Sequence, residues 1–396
     1  LTSASSSTGG FSCALVTGAL QPYAIDFYRA LDASLRRRGA SLIVLVGSRS
    51  TYRPWSSLGI QEDDPLFQFV GGKFAPAWIQ RILGSSSRDK VFLPGSSKIG
   101  SALSERQPDI VIVNERNPIC LGAAAWARRH GVPCILSTDI GRNPPRYSST
   151  RMHLVYHRLI GGFFDGVLAK TVEGKTAFAR RGAPVLLAPH AIDTARYPLP
   201  TCAKEEPFRF LFVGVLEERK GLDVLMAAAR IAHAAGHRFS VRLVGSGPWQ
   251  ASAEDAASPW LSLAGFKDGD NLIAEYHQAG AFVLPTREDT YAVVVHEAAS
   301  CGLPLLVSTG AGASLTLVED GISGYRFAPA DFRRLAEHMS RLLEDSQLCQ
   351  NLGAGARALA EEWSTDRAGE KLAEWLPQFL RSGRAKTRAG EPRASL

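Results

Sequence analysis

Short apolar runs alternate with stretches of helical periodicity along most of the chain. Phe11 to Thr17 (FSCALVT) reads as a buried strand that ends at Gly18. After the loop Gly18 to Pro22, apolar Ile25, Phe27, Tyr28, Leu31 and Leu35 recur at helical spacing up to about Arg38. Gly39 caps that helix, and Ser41 to Val46 (SLIVLV) is the next strand. This is a βαβ unit, whose crossover is expected to be right-handed. The alternation continues with strands at Asp109–Val113, Cys134–Ser137, Gly166–Ala169 and Val185–Ala188, and helices at Cys120–His130, Arg151–Phe164 and Val172–Arg181. Residues 50–95 break the pattern. Trp55, Phe67, Phe69, Phe74 and Trp78 interleave there with Gly and Pro, and only Ala77–Leu83 suggests a helix.

At Arg196–Pro207 the periodicity stops, and three prolines mark a linker. A second series follows, with strands expected at Phe208–Val213, Ser240–Val244, Pro259–Ala264, Ala281–Leu284 and Pro304–Ser308. Its helices are expected at Leu222–Ala235, Asn271–Gln278, from near Tyr291 to Gly302, and at Asp331–Leu343, Gln347–Glu362 and Thr365–Leu380. Thr316–Val318 and Tyr325–Phe327 are short apolar pieces. The fold class is therefore α/β: two tandem Rossmann-like domains facing each other across an interdomain cleft. The expected divisions are an N-terminal acceptor domain (1–195), a linker (196–207), a C-terminal donor domain (208–364), a helix packing back on the first domain (365–381) and a disordered basic tail (382–396). In such folds ligands gather at the carboxyl ends of the strands, which here would face the cleft.

Composition changes this picture little. At 396 residues, 45% hydrophobic and 21% charged, the chain is an ordinary globular protein able to bury two cores. No run of about 18 uncharged apolar residues suggests a membrane span, and LTSASSSTGG lacks the layout of a signal peptide. The six cysteines form no CxxC, as expected of reduced core residues in a cytoplasmic protein. The net charge of +7 is uneven, because residues 1–195 hold 23 Lys and Arg against 13 Asp and Glu. A basic front half points to an anionic partner, be it a nucleotide, a phosphorylated acceptor or a lipid surface. Scattered solvated charge explains it equally well.

Four stretches carry candidate chemistry. In Val213-Gly214-Val215-Leu216-Glu217-Glu218-Arg219-Lys220-Gly221, a strand ends at Gly214, where a bare backbone admits a ligand, and two cations precede a helix. Taken alone, Arg219 and Lys220 also read as a surface basic pair. Val244-Gly245-Ser246-Gly247-Pro248 places a Gly-x-Gly after a strand, which by itself is also a plain turn. In Ala281–Pro304, Asp289 and Glu297 are separated by seven residues across a strand-to-helix turn. Backbone N–H groups of Tyr291, Ala292 and Val293 would point at an anion there, and Glu297 could accept from ribose hydroxyls. The alternative makes Asp289 a helix cap. Gly18-Ala19-Leu20-Gln21-Pro22, at the first βα turn, would cover the ligand from the other domain. Asp268-Gly-Asp270 is better read as turn and cap than as a metal site. His153 and His157 lack a third zinc ligand, and His190, His277 and His296 are expected to be structural.

Taken in order, the second-half motifs resemble those of the retaining, nucleotide-sugar-dependent family 4 glycosyltransferases of GT-B fold. The resemblance rests on FLFVGVLEERKGLDVL, LVGSGP, LPTREDTYAVVVHEAASCGLPLLVS, VEDGISGYRFAP and VLLAPHAIDTARY, five motifs in register between Val185 and Pro329. It implies that Asp289 meets donor-sugar hydroxyls, Glu297 holds ribose and Lys220 binds phosphate. Tyr291, Ala292 and Val293 would supply backbone donors, and Thr17 to Leu20 would lie near the diphosphate. The chain departs from the family in several places. Val215 stands where a phosphate-binding Arg often follows the first Gly, so Arg219 is expected to supply that charge. Asp289 is one methylene shorter than the family's Glu. Thr138-Asp139 occupies the place of a His-Asp pair, which makes Asp139 a further catalytic candidate. His190 and Ala191 stand for Asn and Gly.

The implied chemistry is transfer of a sugar from a UDP- or GDP-sugar to a hydroxyl acceptor with retention, in polysaccharide or glycoconjugate synthesis, needing neither cofactor nor metal. Helix N–H groups, Arg219 and Lys220 would stabilise the leaving diphosphate. The acceptor is expected to be a sugar or a lipid-linked hydroxyl, reached at the inner face of the cell membrane through Phe67–Arg81 and Arg151–Phe164, and no nucleic-acid partner is expected. Other readings are a sugar-nucleotide epimerase, a sugar-phosphate-dependent synthase, or a non-catalytic carbohydrate-binding relic.

Overall fold

The computed structural model describes residues 10–48, 59–61, 63–71, 73–74, 92–93, 97–115, 117–139, 164–180, 182, 184–200 and 207–380. The expected helix at Ala77–Leu83, most of that at Arg151–Phe164, the centre of the linker, the tail, His153, His157 and Cys202 lie outside these residues.

The N-terminal strands are β1 (Ser12–Ala19), β2 (Ser41–Ser48), β3 (Phe67–Phe69), β6 (Ile110–Asn114), β7 (Cys134–Thr138), β8 (Gly166–Ala169) and β9 (Val185–Leu187); β4 (Lys73–Phe74) and β5 (Phe92–Leu93) pair separately and antiparallel. The seven form one parallel sheet in the order β3-β2-β1-β6-β7-β8-β9. A second parallel sheet is built from β10 (Arg209–Val213), β11 (Ser240–Val244), β12 (Leu261–Gly265), β13 (Ala281–Leu284), β14 (Leu305–Ser308) and β15 (Gly324–Phe327), in the order β12-β11-β10-β13-β14-β15. Both are doubly wound. The order reverses between β1 and β6 in one sheet and between β10 and β13 in the other, and at such switch points a crevice opens. Apart from the edge strands β3 and β12, these strands are near-continuous apolar runs because helices cover both faces. Phe210, Leu211 and Phe212 in β10 and every residue of β13 are fully buried.

The helices are α1 (Pro22–Arg36), α2 (Ser97–Arg106), α3 (Pro118–His130), α4 (Val172–Ala179), α5 (Leu222–Ala234), α6 (Ala253–Ala256), α7 (Gly269–Gln278), α8 (Val293–Ser300), α9 (Ser314–Leu317), α10 (Phe332–Glu344), α11 (Ser346–Glu362) and α12 (Thr365–Trp375). Three were not assigned from the sequence, the short α6 among them. Residues 97–106 had no assignment, because Gly100 and three serines obscure the spacing of Ile99 and Leu103, both buried in the structure. The apolar piece at 316–318, which carries no element type in the sequence, falls at the end of the helical turn α9, with Val318 just beyond it. The last helix, α12, lies along α1. Its Leu372 and Ala373, with Leu376 and Phe379 beyond it, complete the N-terminal core. Gly369 sits so close that a Cβ there would meet the Ala30 backbone at 3.0 Å. The chain thus crosses between domains twice, once after β9 and once before α12.

Candidate functional site

The C-terminal half of the site forms where β10 and β13 part. After β10 a 3₁₀ turn (Glu218–Lys220) leads to Gly221, whose φ of 70° and approach to the Pro285 carbonyl, 2.1 Å from a would-be Cβ, leave room for no other residue. That packing places Lys220 against the loop after β13. Its ammonium is buried and pairs with the Asp289 carboxylate. The Asp289 backbone is clamped, its N–H donating to the Gly310 carbonyl at 2.9 Å and its carbonyl accepting from Gly312 N–H at 3.1 Å. Asp289 is therefore not the cap of α8. Ala292 holds that place in left-handed backbone (φ 73°, ψ 73°). Among the described residues, the N–H groups of Tyr291, Ala292 and Val293 donate to no backbone carbonyl. These unpaired donors make the start of α8 electropositive, while the Lys220 charge is matched by Asp289.

Glu297 lies one turn into α8, on the same half-buried face as Val293. Tyr276 donates its hydroxyl to Glu297 Oε2 at 2.8 Å, and the Tyr197 hydroxyl bears on the same carboxylate. Burial raises its pKa above the usual carboxylate value, and the two hydroxyls only partly oppose that. A carboxylate held this way is a strong acceptor for hydroxyl groups.

Arg219 is more committed than its sequence suggests. Its Nε lies 2.7 Å from Glu217, and Nη1 donates to the Glu288 carbonyl at 3.1 Å. The glycines of the second loop fit the plain-turn alternative. A Cβ on Gly245 would lie 1.8 Å from the Gly214 carbonyl, and one on Gly247 would lie 2.1 Å from the Leu216 carbonyl. They are required because the loops after β10 and β11 press backbone against backbone, and Gly214 is the partner in that contact. In the first domain, β1 runs to Ala19, so Gly18 and Ala19 end the strand instead of forming a loop. Gly18 is pressed by the side chain of Asn117, the N-cap of α3, at 2.7 Å from a would-be Cβ.

Asp139 follows β7 at the switch-point end of the first sheet. Its N–H donates to Glu115 Oε1 at 2.6 Å, and its Oδ1 lies 2.6 Å from His190 Nε2. Burial pushes the carboxyl up, but His190 and more weakly Lys170 outweigh it, leaving the pKa below the usual value. Lys170, at the end of β8, is buried with its ammonium 5.4 Å from the centre of the Phe27 ring. Burial lowers its pKa against the opposing pull of Asp139 and Glu115. Thr138 is fully buried.

His190 has a side-chain partner that the sequence does not reveal. It was grouped with His277 and His296, which are indeed satisfied by carbonyls: His277 by Pro198 at 2.8 Å, His296 by His190 at 3.2 Å and by Ala360 at 3.0 Å. His190 instead sits beyond β9, paired with Asp139. The available signal was position, because both residues follow strands of one parallel sheet, where side chains converge on a cleft.

Residues 200–359 match the family model of group 1 glycosyl transferases. The chain is 28% identical to glycogen synthase of Mycobacterium tuberculosis over 311 residues, 75% of this chain and 74% of that protein. It is 24% identical to the sulfoquinovosyl transferase SQD2 of Arabidopsis thaliana over 344 residues, 74% and 62% of the two chains. The crystal structure of Anabaena HepE in complex with UDP superimposes with a TM-score of 0.69 at 17% identity, covering 93% of this chain and all of that one. That likeness concerns the fold, which is GT-B.

Proposed function

The chain is a glycosyltransferase of group 1, and from that premise we propose that it transfers a hexose from a nucleoside-diphosphate sugar to a hydroxyl acceptor with retention at the anomeric carbon. The observation that carries this reading is the juxtaposition at the start of α8: buried Lys220, three unpaired N–H groups and the Glu297 carboxylate one turn further on. An anionic diphosphate suits the first two, and a ribose diol suits the third. UDP and UDP-glucose are bound in structures of HepE, which makes uridine donors the first to try.

In this reading the diphosphate accumulates charge as the glycosidic bond breaks, and Lys220 and the N–H groups stabilise it as it leaves. Removing one such donor would cost on the order of 3 kcal/mol in the barrier. The fixed cations supply this stabilisation without a metal. Asp289, turned onto Lys220, would share that ammonium with the phosphate and offer its second oxygen to a sugar hydroxyl. Arg219 adds a weaker field, since Glu217 neutralises much of it. The acceptor enters from the N-terminal domain, past Gly18, Ala19 and Asp139, and its proton passes to a donor phosphate oxygen on the face the leaving group vacates. A sugar or lipid-linked hydroxyl of a polysaccharide or glycolipid is the acceptor this reading favours. No helix among the described residues is long and apolar enough to cross a membrane, so contact with a lipid acceptor would be peripheral, at the inner face of the membrane. A thermal-shift screen of UDP- and GDP-sugars names the donor. Proton NMR of the product made from that donor then reports the anomeric configuration, and an inverted product would overturn the mechanism.

A further inference from the structure

The two crossings between the domains meet α8 at one imidazole. His296 is fully buried on that helix, next to Glu297. Its Nδ1 lies 3.2 Å from the carbonyl of His190, on the first crossing. Its Nε2 lies 3.0 Å from the carbonyl of Ala360, near the end of α11 and just before the second crossing. The crossings are also joined to each other, because the Thr365 N–H at the start of α12 donates to the Ile192 carbonyl at 3.0 Å. Further along the first crossing, Arg357 of α11 donates to the Tyr197 carbonyl at 2.9 Å. The C-terminal half thus holds this backbone at several points. The His190 side chain is held by the other half, with Nε2 2.6 Å from Asp139 Oδ1 and the Tyr23 ring edge-on at 5.0 Å. Tyr291 also meets that ring at 5.0 Å, a contact without a directed bond. His190 is therefore where the chain passes from the hold of one domain to that of the other.

Two carbonyls compete for one proton of His296. Burial lowers its pKa from the ordinary value, against the pull of both carbonyls, so at neutral pH the ring offers one N–H and one lone pair. The Ala360 carbonyl already accepts from the Trp363 N–H at 3.2 Å, whereas among the described residues no other donor reaches the His190 carbonyl. The proton is therefore worth most on Nδ1, where it satisfies a carbonyl that has no other partner. The surroundings of His296 favour an apolar residue, since Val295, Ala298 and Ala299 are all fully buried. A buried imidazole among them costs free energy unless its polar atoms are used.

We propose that His296 is a positioning residue that transmits occupancy of the anion site at the start of α8 to the N-terminal domain, through the His190 backbone and the His190–Asp139 pair. This rests on the donor reading above and adds to it a path between the domains. A ligand that fixes Val293 also fixes His296, one turn further on in the same helix. From there the path is two directed contacts, His296 to the His190 carbonyl and the His190 ring to Asp139. It is a contiguous physical network whose links can be cut one at a time.

The test is hydrogen exchange followed by mass spectrometry, with and without saturating UDP, or GDP where UDP does not bind. It is run on wild type, His296→Leu, His296→Asn and His296→Gln. An asparagine amide nitrogen lies where Nδ1 does and a glutamine one where Nε2 does, so Asn keeps the bond to His190 and Gln keeps the one to Ala360. In the wild type the nucleotide should slow exchange both in α8 and in the segment 134–139, which ends at Asp139. In His296→Leu the protection of α8 should remain, with affinity by calorimetry within about threefold of wild type, while protection of 134–139 falls at least about threefold, the worth of one hydrogen bond. His296→Gln should behave as the leucine variant does, and His296→Asn should retain most of the wild-type response. Far-UV circular dichroism reports folding of each variant, and Gln against Asn carries the test if the leucine variant fails to fold. Equal protection of 134–139 in the wild type and in His296→Gln, or none in the wild type, would overturn the proposal. Absence of binding by both nucleotides would instead overturn the donor reading.

Discussion

Replacing Lys220 by Met separates a structural role from a binding role. The Lys220 and Asp289 side chains are 9% and 15% exposed and pair directly. Removing the cation strands a carboxylate in a largely dry site, and breaking a buried pair from one side costs roughly 3–5 kcal/mol. Removing both charges with Lys220→Met and Asp289→Asn takes away the stranded charge, so the double variant should recover at least about 2 kcal/mol over the single one. UDP binding follows a different rule. The diphosphate loses a charge-assisted hydrogen bond worth roughly 1.5–3 kcal/mol, so affinity should fall about tenfold to hundredfold in both variants. Urea unfolding measures the first quantity and calorimetry with UDP the second. A double variant that regains wild-type UDP affinity would show that Lys220 matters only through its partner. A single variant with wild-type stability and affinity would refute the whole arrangement.

Three further substitutions test the same geometry. Glu297→Gln should weaken UDP about thirtyfold, since two ribose hydroxyls exchange a charged acceptor for a neutral one at about 1 kcal/mol each. The same change should raise thermal stability near pH 7. The folded-state pKa of Glu297 lies above its unfolded value, so ionisation disfavours the fold; the advantage of Gln is present at neutral pH and shrinks as pH falls through that raised pKa towards the ordinary value. Melting curves of the two proteins across pH 4–8 check it, and a parallel offset at every pH would contradict the reasoning. Gly245→Ala should destabilise by about 1–3 kcal/mol, because its Cβ would lie 1.8 Å from a backbone carbonyl and cannot be accommodated by turning a side chain. Ala292→Gly should stabilise by about 0.5–1 kcal/mol in urea unfolding, because Ala292 holds a φ of 73° that costs a residue with a Cβ.

Much of this was legible because parallel sheets buried on both faces write themselves as short apolar runs. The central strands of both sheets follow that pattern, and Asp289 and Glu297 flank one strand-to-helix turn as expected, whereas β3, β4 and β5 lie in the stretch where the pattern breaks. Boundaries were less legible. Gly18 and Ala19 look like a loop from composition, yet β1 carries them into the sheet. Gly245 and Gly247 look like a ligand seat, yet their immediate neighbours are the backbones of Gly214 and Leu216. In both cases a glycine reports a close approach without saying what approaches. His190 was hidden for another reason. Its partner Asp139 is 51 residues away, and only the order of strands in the sheet brings the two together. Arg219 likewise reads as a free cation until Glu217 is seen against it.

The most direct test of the donor site is a calorimetric titration of the intact protein with UDP and with GDP. The account predicts saturable binding of one of them in the wild type, weakened at least tenfold by Lys220→Met. Absence of binding by both nucleotides, or binding indifferent to Lys220, would contradict it.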